Sequence, residues 1–138
     1  MVDRPKLKRA RAAHDVEPRA TILVVDDEEL VRNVARISLE RGGYKVLLAN
    51  SGEDAVRVFS ENQAQLSLIV LDMHMPGVNG VDVLRRVRAV DPNVRVLVTS
   101  GWSGIEVAHR FHGLDIAGVL EKPFSAGTLV ERVRALCP

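Results

Sequence analysis

Residues 21–29 read Thr21-Ile22-Leu23-Val24-Val25-Asp26-Asp27-Glu28-Glu29. A short apolar run, rich in β-branched residues, ends abruptly in four acids. An unbroken apolar run of this length fits a strand buried on both faces, as in a parallel sheet. Leu66-Ser67-Leu68-Ile69-Val70-Leu71 and Val94-Arg95-Val96-Leu97-Val98 have the same character, and Tyr44–Ala49 and Ile116–Leu120 complete five expected strands. Helical spacing fills the gaps. Leu30, Val31, Val34, Ile37 and Leu39 mark a first helix that stops at Gly42-Gly43. Ser51 is expected to cap a second, with Ala55, Val56 and Phe59 facing inward. Val81, Leu84, Val87 and Val90 form a third, ended by Asp91-Pro92. Ile105 to Phe111 is a weaker fourth, crowded by Gly101, Gly104 and Gly113, and Ser125 caps a fifth containing Leu129, Val130, Val133 and Leu136. Five strands alternating with five helices imply a doubly wound α/β domain over residues 21–138, a parallel sheet with helices on both faces.

Composition agrees with one such domain. A chain of 138 residues leaves little room for a second. The lone cysteine, Cys137, excludes an intramolecular disulfide framework and any multi-cysteine zinc site. No apolar run approaches a membrane span, and no signal peptide is visible, so a cytoplasmic location is expected. Aromatics at 4% argue against a stacking platform for single-stranded nucleic acid. The net charge of +1 hides a basic leader, residues 1–20, where Arg4, Lys6, Lys8, Arg9, Arg11 and Arg19 face only Asp3, Asp15 and Glu17. With Pro5 and Pro18 and no apolar period, this leader reads as a disordered, solvated tail. It lacks the helix that sequence-specific DNA recognition would need, so no direct reading of nucleic acid is expected.

In doubly wound folds the working surface lies at the carboxyl ends of the strands. There the sequence places Asp26 and Asp27 after the first strand and Asp72 after the third. Thr99, Ser100 and Gly101 follow the fourth, and Lys122-Pro123 the fifth. An aspartate after a strand ordinarily caps a helix, and a Ser-Gly pair is ordinarily a turn. Five polar groups converging on one edge are harder to assign that way. Three close carboxylates repel one another and call for a cation. Hard oxygen ligands with room for water suit Mg²⁺. Three carboxylates, one divalent ion and Lys122 sum to neutrality, and such a site can accept a phosphoryl group on a carboxylate. The dinucleotide, P-loop and nucleophile-elbow motifs are absent. His14, His74, His109 and His112 form no compact metal motif.

Four runs carry a resemblance: Ile22 to Glu29, Leu71-Asp72-Met73-His74-Met75-Pro76-Gly77-Val78-Asn79-Gly80, Val98-Thr99-Ser100-Gly101 and Glu121-Lys122-Pro123-Phe124. Together the chain resembles a two-component response-regulator receiver domain over about residues 20–137. The resemblance implies a flavodoxin-like sheet of strand order 2-1-3-4-5. It also implies an aspartate phosphorylated by a histidine kinase or histidine phosphotransfer protein. By that resemblance Asp72 is the phosphoacceptor, Asp27 a direct metal ligand, and Asp26 an acid acting mainly through metal-bound water. His74 would offer its backbone carbonyl to Mg²⁺, Ser100 would be the switch hydroxyl, and Lys122 would contact the phosphoryl group. The Lys122–Pro123 bond would be cis. Such a domain is no enzyme on an external substrate, since it catalyses only its own phosphorylation and dephosphorylation.

Two features depart from the pattern. The switch aromatic normally lies three residues before the lysine, where this sequence has Val119. A valine has no ring to swing, so signalling is expected to use the loop from Ser100 to Gly104 and the weak fourth helix. Trp102 and His74 stand two residues after Ser100 and Asp72 and would flank the phosphoryl group. A bulky Trp102 would limit water access and lengthen the phosphorylated lifetime. The alternative is that Trp102 packs on the surface or at a partner interface. Gly80 suits a tight helix entry, and Met73 and Met75 suit loop packing rather than metal binding. The alternative function is a constitutive interaction module that kept the fold without the switch. With Pro138 just after the fifth helix no attached output domain is expected, and both a stand-alone regulator and a hybrid-kinase receiver fit. The face of the fourth helix, fifth strand and fifth helix is a candidate homodimer surface, although no decisive apolar patch is readable there.

Overall fold

The computed structural model describes residues 18–138. In chain order these form β1 (Thr21–Val25), α1 (Glu29–Arg41), β2 (Lys45–Ala49), α2 (Gly52–Asn62), β3 (Leu66–Asp72), α3 (Gly80–Val90), β4 (Arg95–Ser100), α4 (Gly104–Arg110), β5 (Gly118–Glu121) and α5 (Ala126–Leu136). All neighbouring strands pair in parallel, in the order β2-β1-β3-β4-β5. The five expected strands and five expected helices are present, in the expected topology.

The strand sequences explain the layering. Side chains alternate between faces with a period of two. On one face Leu23, Val25, Ile69, Leu71, Val96 and Val98 pack with Ala55, Phe59, Val83, Leu84, Val87, Val107 and Phe111 from α2, α3 and beyond. On the other, Ile22, Val24, Leu68, Val70, Leu97 and Leu120 meet Ala35 and Leu39 of α1 and Leu129 and Val133 of α5. Each central strand thus needs apolar residues at every position, which is why it reads as an unbroken run. Side-chain caps start four of the helices: Ser51, Asn79, Ser103 and Ser125 accept hydrogen bonds from Asp54, Asp82, Glu106 and Thr128 N–H groups. Gly43, at φ 96°, turns the chain after α1 in a conformation that favours glycine.

Three expectations change. First, α1 turns differently from its apolar spacing. Ala35 and Leu39 are buried, while Leu30, Val34 and Ile37 are 74%, 47% and 42% exposed. The helix carries two apolar stripes, and the sheet covers the one through Ala35 and Leu39. Second, Thr99 and Ser100 do not follow β4; they are its last two residues, and Asp72 is the last of β3. Third, the expected tail is shorter than residues 1–20 at its inner end. The Arg19 N–H donates to Gly43 O at 2.8 Å, its side chain reaches Gly42 O and Pro138 O, and Lys45 N–H donates to Ala20 O. Residues 1–17 of that tail lie outside the described residues.

Candidate functional site

The carboxyl edge of the sheet gathers the predicted groups. One carboxylate oxygen each of Asp26, Asp27 and Asp72 lies within 4.8 Å of the others. Asp26 and Asp72 are buried and Asp27 is exposed. They meet because β1 and β3 are neighbours, with Val25 paired to Leu71. Asp26 is no ordinary helix cap. Its Oδ1 accepts the Glu28 N–H at 2.9 Å, turning the loop so that Oδ2 faces the cluster.

Lys122 enters from β5. Its N–H donates to Ser100 O at 2.7 Å, extending the sheet by one bond past Glu121. Its ammonium lies 3.2 Å from Asp26 Oδ2 and 3.4 Å from Asp72 Oδ2. The Lys122–Pro123 bond is cis, as the resemblance implies.

Electrostatics follow from burial. Desolvation pushes the Asp72 carboxyl above its ordinary range, and the Asp26 charge adds to this. The His74 N–H, 3.0 Å from Asp72 Oδ1, and the Lys122 ammonium oppose the rise without cancelling it. Burial alone would lower the Lys122 ammonium, but the charges of Asp72 and Asp26 outweigh it and the net shift is upward. One cation thus serves a cluster of three carboxylates, which leaves an excess of negative charge. That excess and the all-oxygen donor set fit a hard divalent ion such as Mg²⁺.

The remaining predicted residues also reach this edge. Ser100 is fully buried, and its Oγ lies 3.0 Å from His74 Nε2 and accepts the Trp102 N–H at 2.9 Å. The hydroxyl position was legible; its bond to the His74 ring was not, since a loop side chain has no periodicity to read. Trp102 is half-buried, with the His74 ring against its edge and the Arg110 guanidinium over its face. Sequence reasoning gave Arg110 no role. Val119 is half-buried and packs into the core opposite Val98. Met73 and Met75 are buried in the core, as expected for packing.

Gly80 opens α3 with its backbone against the site loop. A Cβ there would stand 2.9 Å from Met73 Cα and 3.2 Å from Asp72 O. Gly52 is a second close approach that sequence reasoning passed over, its backbone set against Val78 O with no room for a Cβ. The first contact seats α3 against the residues that carry Asp72, and the second seats α2 against the loop before α3.

The fold is thus a doubly wound parallel sheet that presents three acids, a buried hydroxyl and a lysine at one edge. The family model of the response regulator receiver domain matches residues 22–134, and the chain belongs to that family. Response regulator MprA of Mycobacterium sp. (strain KMS) is 38% identical over 117 residues, covering 83% of this chain and 49% of that protein. Sensor kinase CckA of Brucella abortus (strain 2308) is 31% identical over 131 residues, covering 95% of this chain but 14% of that protein. A crystal structure of a response regulator receiver domain protein from Clostridium thermocellum superposes with a TM-score of 0.78 at 30% identity, covering 86% of this chain and 94% of that one. The chain therefore spans about half of the matched regulator and a small part of the matched sensor kinase. Among the described residues no helix is long and apolar enough to cross a membrane.

Proposed function

We propose that this domain is a Mg²⁺-dependent phosphoacceptor of a two-component relay, working in the cytoplasm, with Asp72 as the acceptor. The observation that carries the reading is Lys122 bridging buried Asp26 and Asp72 beside exposed Asp27. An Asp72 carboxylate oxygen attacks the phosphorus of a phosphohistidine. The P–O bond forms as the P–N bond breaks, and the released imidazole nitrogen takes up a proton from solvent. Lys122 holds one phosphoryl oxygen and the Ser100 hydroxyl another. Asp26, Asp27, Asp72 and the His74 backbone carbonyl would hold Mg²⁺. Bound there, the ion supplies positive charge to the carboxylate and phosphoryl oxygens and so reduces their repulsion.

The donor is a histidine kinase or a histidine phosphotransfer protein. It seats on the exposed apolar stripe of α1. That stripe borders a cleft of about 530 Å³ walled by Leu30, Val31, Val34, Pro123 and Phe124, with Glu28 and Lys122 also in its lining. An apolar surface continuous with the acceptor site brings a donor's reactive nitrogen to Asp72 without an intervening gap.

The test is intact mass after incubation with Mg²⁺ and acetyl phosphate, with Asp72→Asn alongside. The reading expects a phosphoryl-sized gain that needs both Mg²⁺ and Asp72. A folded wild-type chain that gains nothing, from acetyl phosphate or from a cognate kinase, would favour the constitutive module, for which the ringless Val119 speaks.

A further inference from the structure

The Ser100 hydroxyl is held away from the acid cluster. Among the described residues its Oγ bonds only to His74 Nε2 and the Trp102 N–H. The two partners touch each other, with ring centroids 4.4 Å apart and planes at 72°. Arg110, the last residue of α4, lays its guanidinium carbon 4.5 Å from the Trp102 ring centroid. His74, Trp102 and Arg110 together wall a cleft of about 460 Å³. A continuous line of contacts thus runs from a buried hydroxyl at the site to the end of a surface helix.

We propose that His74 is the positioning residue for Ser100, and that the His74–Trp102–Arg110 stack relays the hydroxyl's position to α4. This rests on the reading of Ser100 as a phosphoryl-contacting group. To reach a phosphoryl oxygen on Asp72, Oγ must rotate away from His74. The His74 ring then loses its anchor, Trp102 loses the acceptor of its N–H, and the edge contact between the two rings is free to change. Arg110 follows through its contact with the indole face. The connecting chain can accommodate this, because a Cβ at Gly101 or Gly104 would meet no atom within 4 Å. Val119 cannot do the same work. It carries no ring, and its side chain is committed to the core. The stack leaves Ser100 through side chains other than Val119 and so provides a route out of the site that needs no ring at that position.

Trp102 is the single tryptophan, so its emission reports the stack directly. The full chain would be titrated with beryllofluoride in Mg²⁺. Fluorine NMR follows binding, and tryptophan emission follows the relay. Wild type should show both. Ser100→Ala should still bind but lose most of the emission shift. His74→Phe keeps a ring without the hydrogen bond; it should bind about 2- to 12-fold more tightly, the factor that one ordinary net hydrogen bond represents. His74→Gln restores a partner for Ser100 without a ring; its affinity should return toward wild type while the emission shift stays lost. A full emission shift in Ser100→Ala with beryllofluoride bound would overturn the relay. Weaker binding by His74→Phe would make His74 a phosphoryl contact and overturn its positioning role. No bound fluorine signal in wild type would remove the phosphoacceptor reading, and this inference with it.

Discussion

The Lys122 ammonium lies 3.4 Å from Oδ2 of Asp72, at the end of a strand that never pairs with the strand bearing Asp72. The link is β4, which pairs with both. Lys122 N–H bonds to Ser100 O and Met73 N–H to Thr99 O, so the end of β4 fixes both partners. Lys122→Ala removes the ammonium that, on the proposed reading, meets an incoming phosphoryl group beside the metal. Labelling by acetyl phosphate should slow by about 10²–10³-fold, the usual loss when one preorganised donor is removed. Mg²⁺ binding should be kept, since the carboxylates remain. An unchanged labelling rate would count against the lysine's role.

Asp72 should set a pH signature of stability. Burial, with the Asp26 charge, holds its carboxyl above the ordinary range. A raised native value means the folded state binds this proton more tightly than the unfolded chain. The associated stabilisation is complete below the ordinary carboxyl range and is lost as pH rises through the native value. At neutral pH ionised Asp72 therefore costs stability in metal-free buffer. Asp72→Asn should raise the thermal midpoint there, and the gain should fade as the pH is lowered into the carboxyl range. A lower midpoint for the variant at neutral pH would contradict this.

Mg²⁺ should do by binding what Asp72→Asn does by substitution. A ligand that binds only the native state at a hundredfold excess over its Kd stabilises by about 2.7 kcal/mol. Thermal midpoints should rise with Mg²⁺ and fall again with a chelator. Asp27 is the exposed member of the cluster. Asp27→Asn should change metal-free stability by no more than about 0.5 kcal/mol, yet lose most of the Mg²⁺-dependent rise. A rise of equal size in the variant would place the ion elsewhere.

Much of this was legible in the sequence because it rests on strand ends. An apolar run that stops in Asp26 or Asp72 fixes both the element and the edge on which the carboxylate emerges. The order of those ends was legible too, once the four runs were read together. What stayed hidden depends on rotation and contact. Apolar spacing along α1 is satisfied by two stripes, and only the packed sheet selects Ala35 and Leu39 over Val34 and Ile37. Ser100 was expected at the right edge but after β4 rather than in it, because its place in the strand depends on pairing with Glu121. The His74 ring and Arg110 belong to no periodic pattern, so nothing local announces that they meet through Trp102.

Gly80 and Gly101 should respond unequally to the same change. A methyl at Gly80 would meet Met73 Cα at 2.9 Å, a backbone atom that cannot swing aside. Gly80→Ala must push α3 from the loop that holds Asp72, at a cost of about 1–3 kcal/mol, and labelling should slow as the acceptor shifts. At Gly101 a Cβ meets open space and φ is not positive. Gly101→Ala should stay within about 0.5 kcal/mol of wild type. Paired thermal melts decide it; equal losses would mean the close approach at Gly80 is not what constrains α3.

The exposed stripe of α1 gives the sharpest separation between acceptor chemistry and donor docking. Leu30 and Val34 wall the cleft that Lys122 also lines, yet neither belongs to the packed face of the helix. Leu30→Ser and Val34→Ser should therefore leave the thermal midpoint and the acetyl phosphate labelling rate close to wild type. A small donor needs no surface beyond the site itself, whereas on the proposed docking a protein donor buries this stripe to present its phosphohistidine. Transfer from a phosphorylated histidine partner should slow by about tenfold, the effect of removing one well-packed interface anchor. Equal slowing with both donors would place the fault at Asp72 rather than at the surface. No slowing with either would mean that the donor approaches Lys122 across another face.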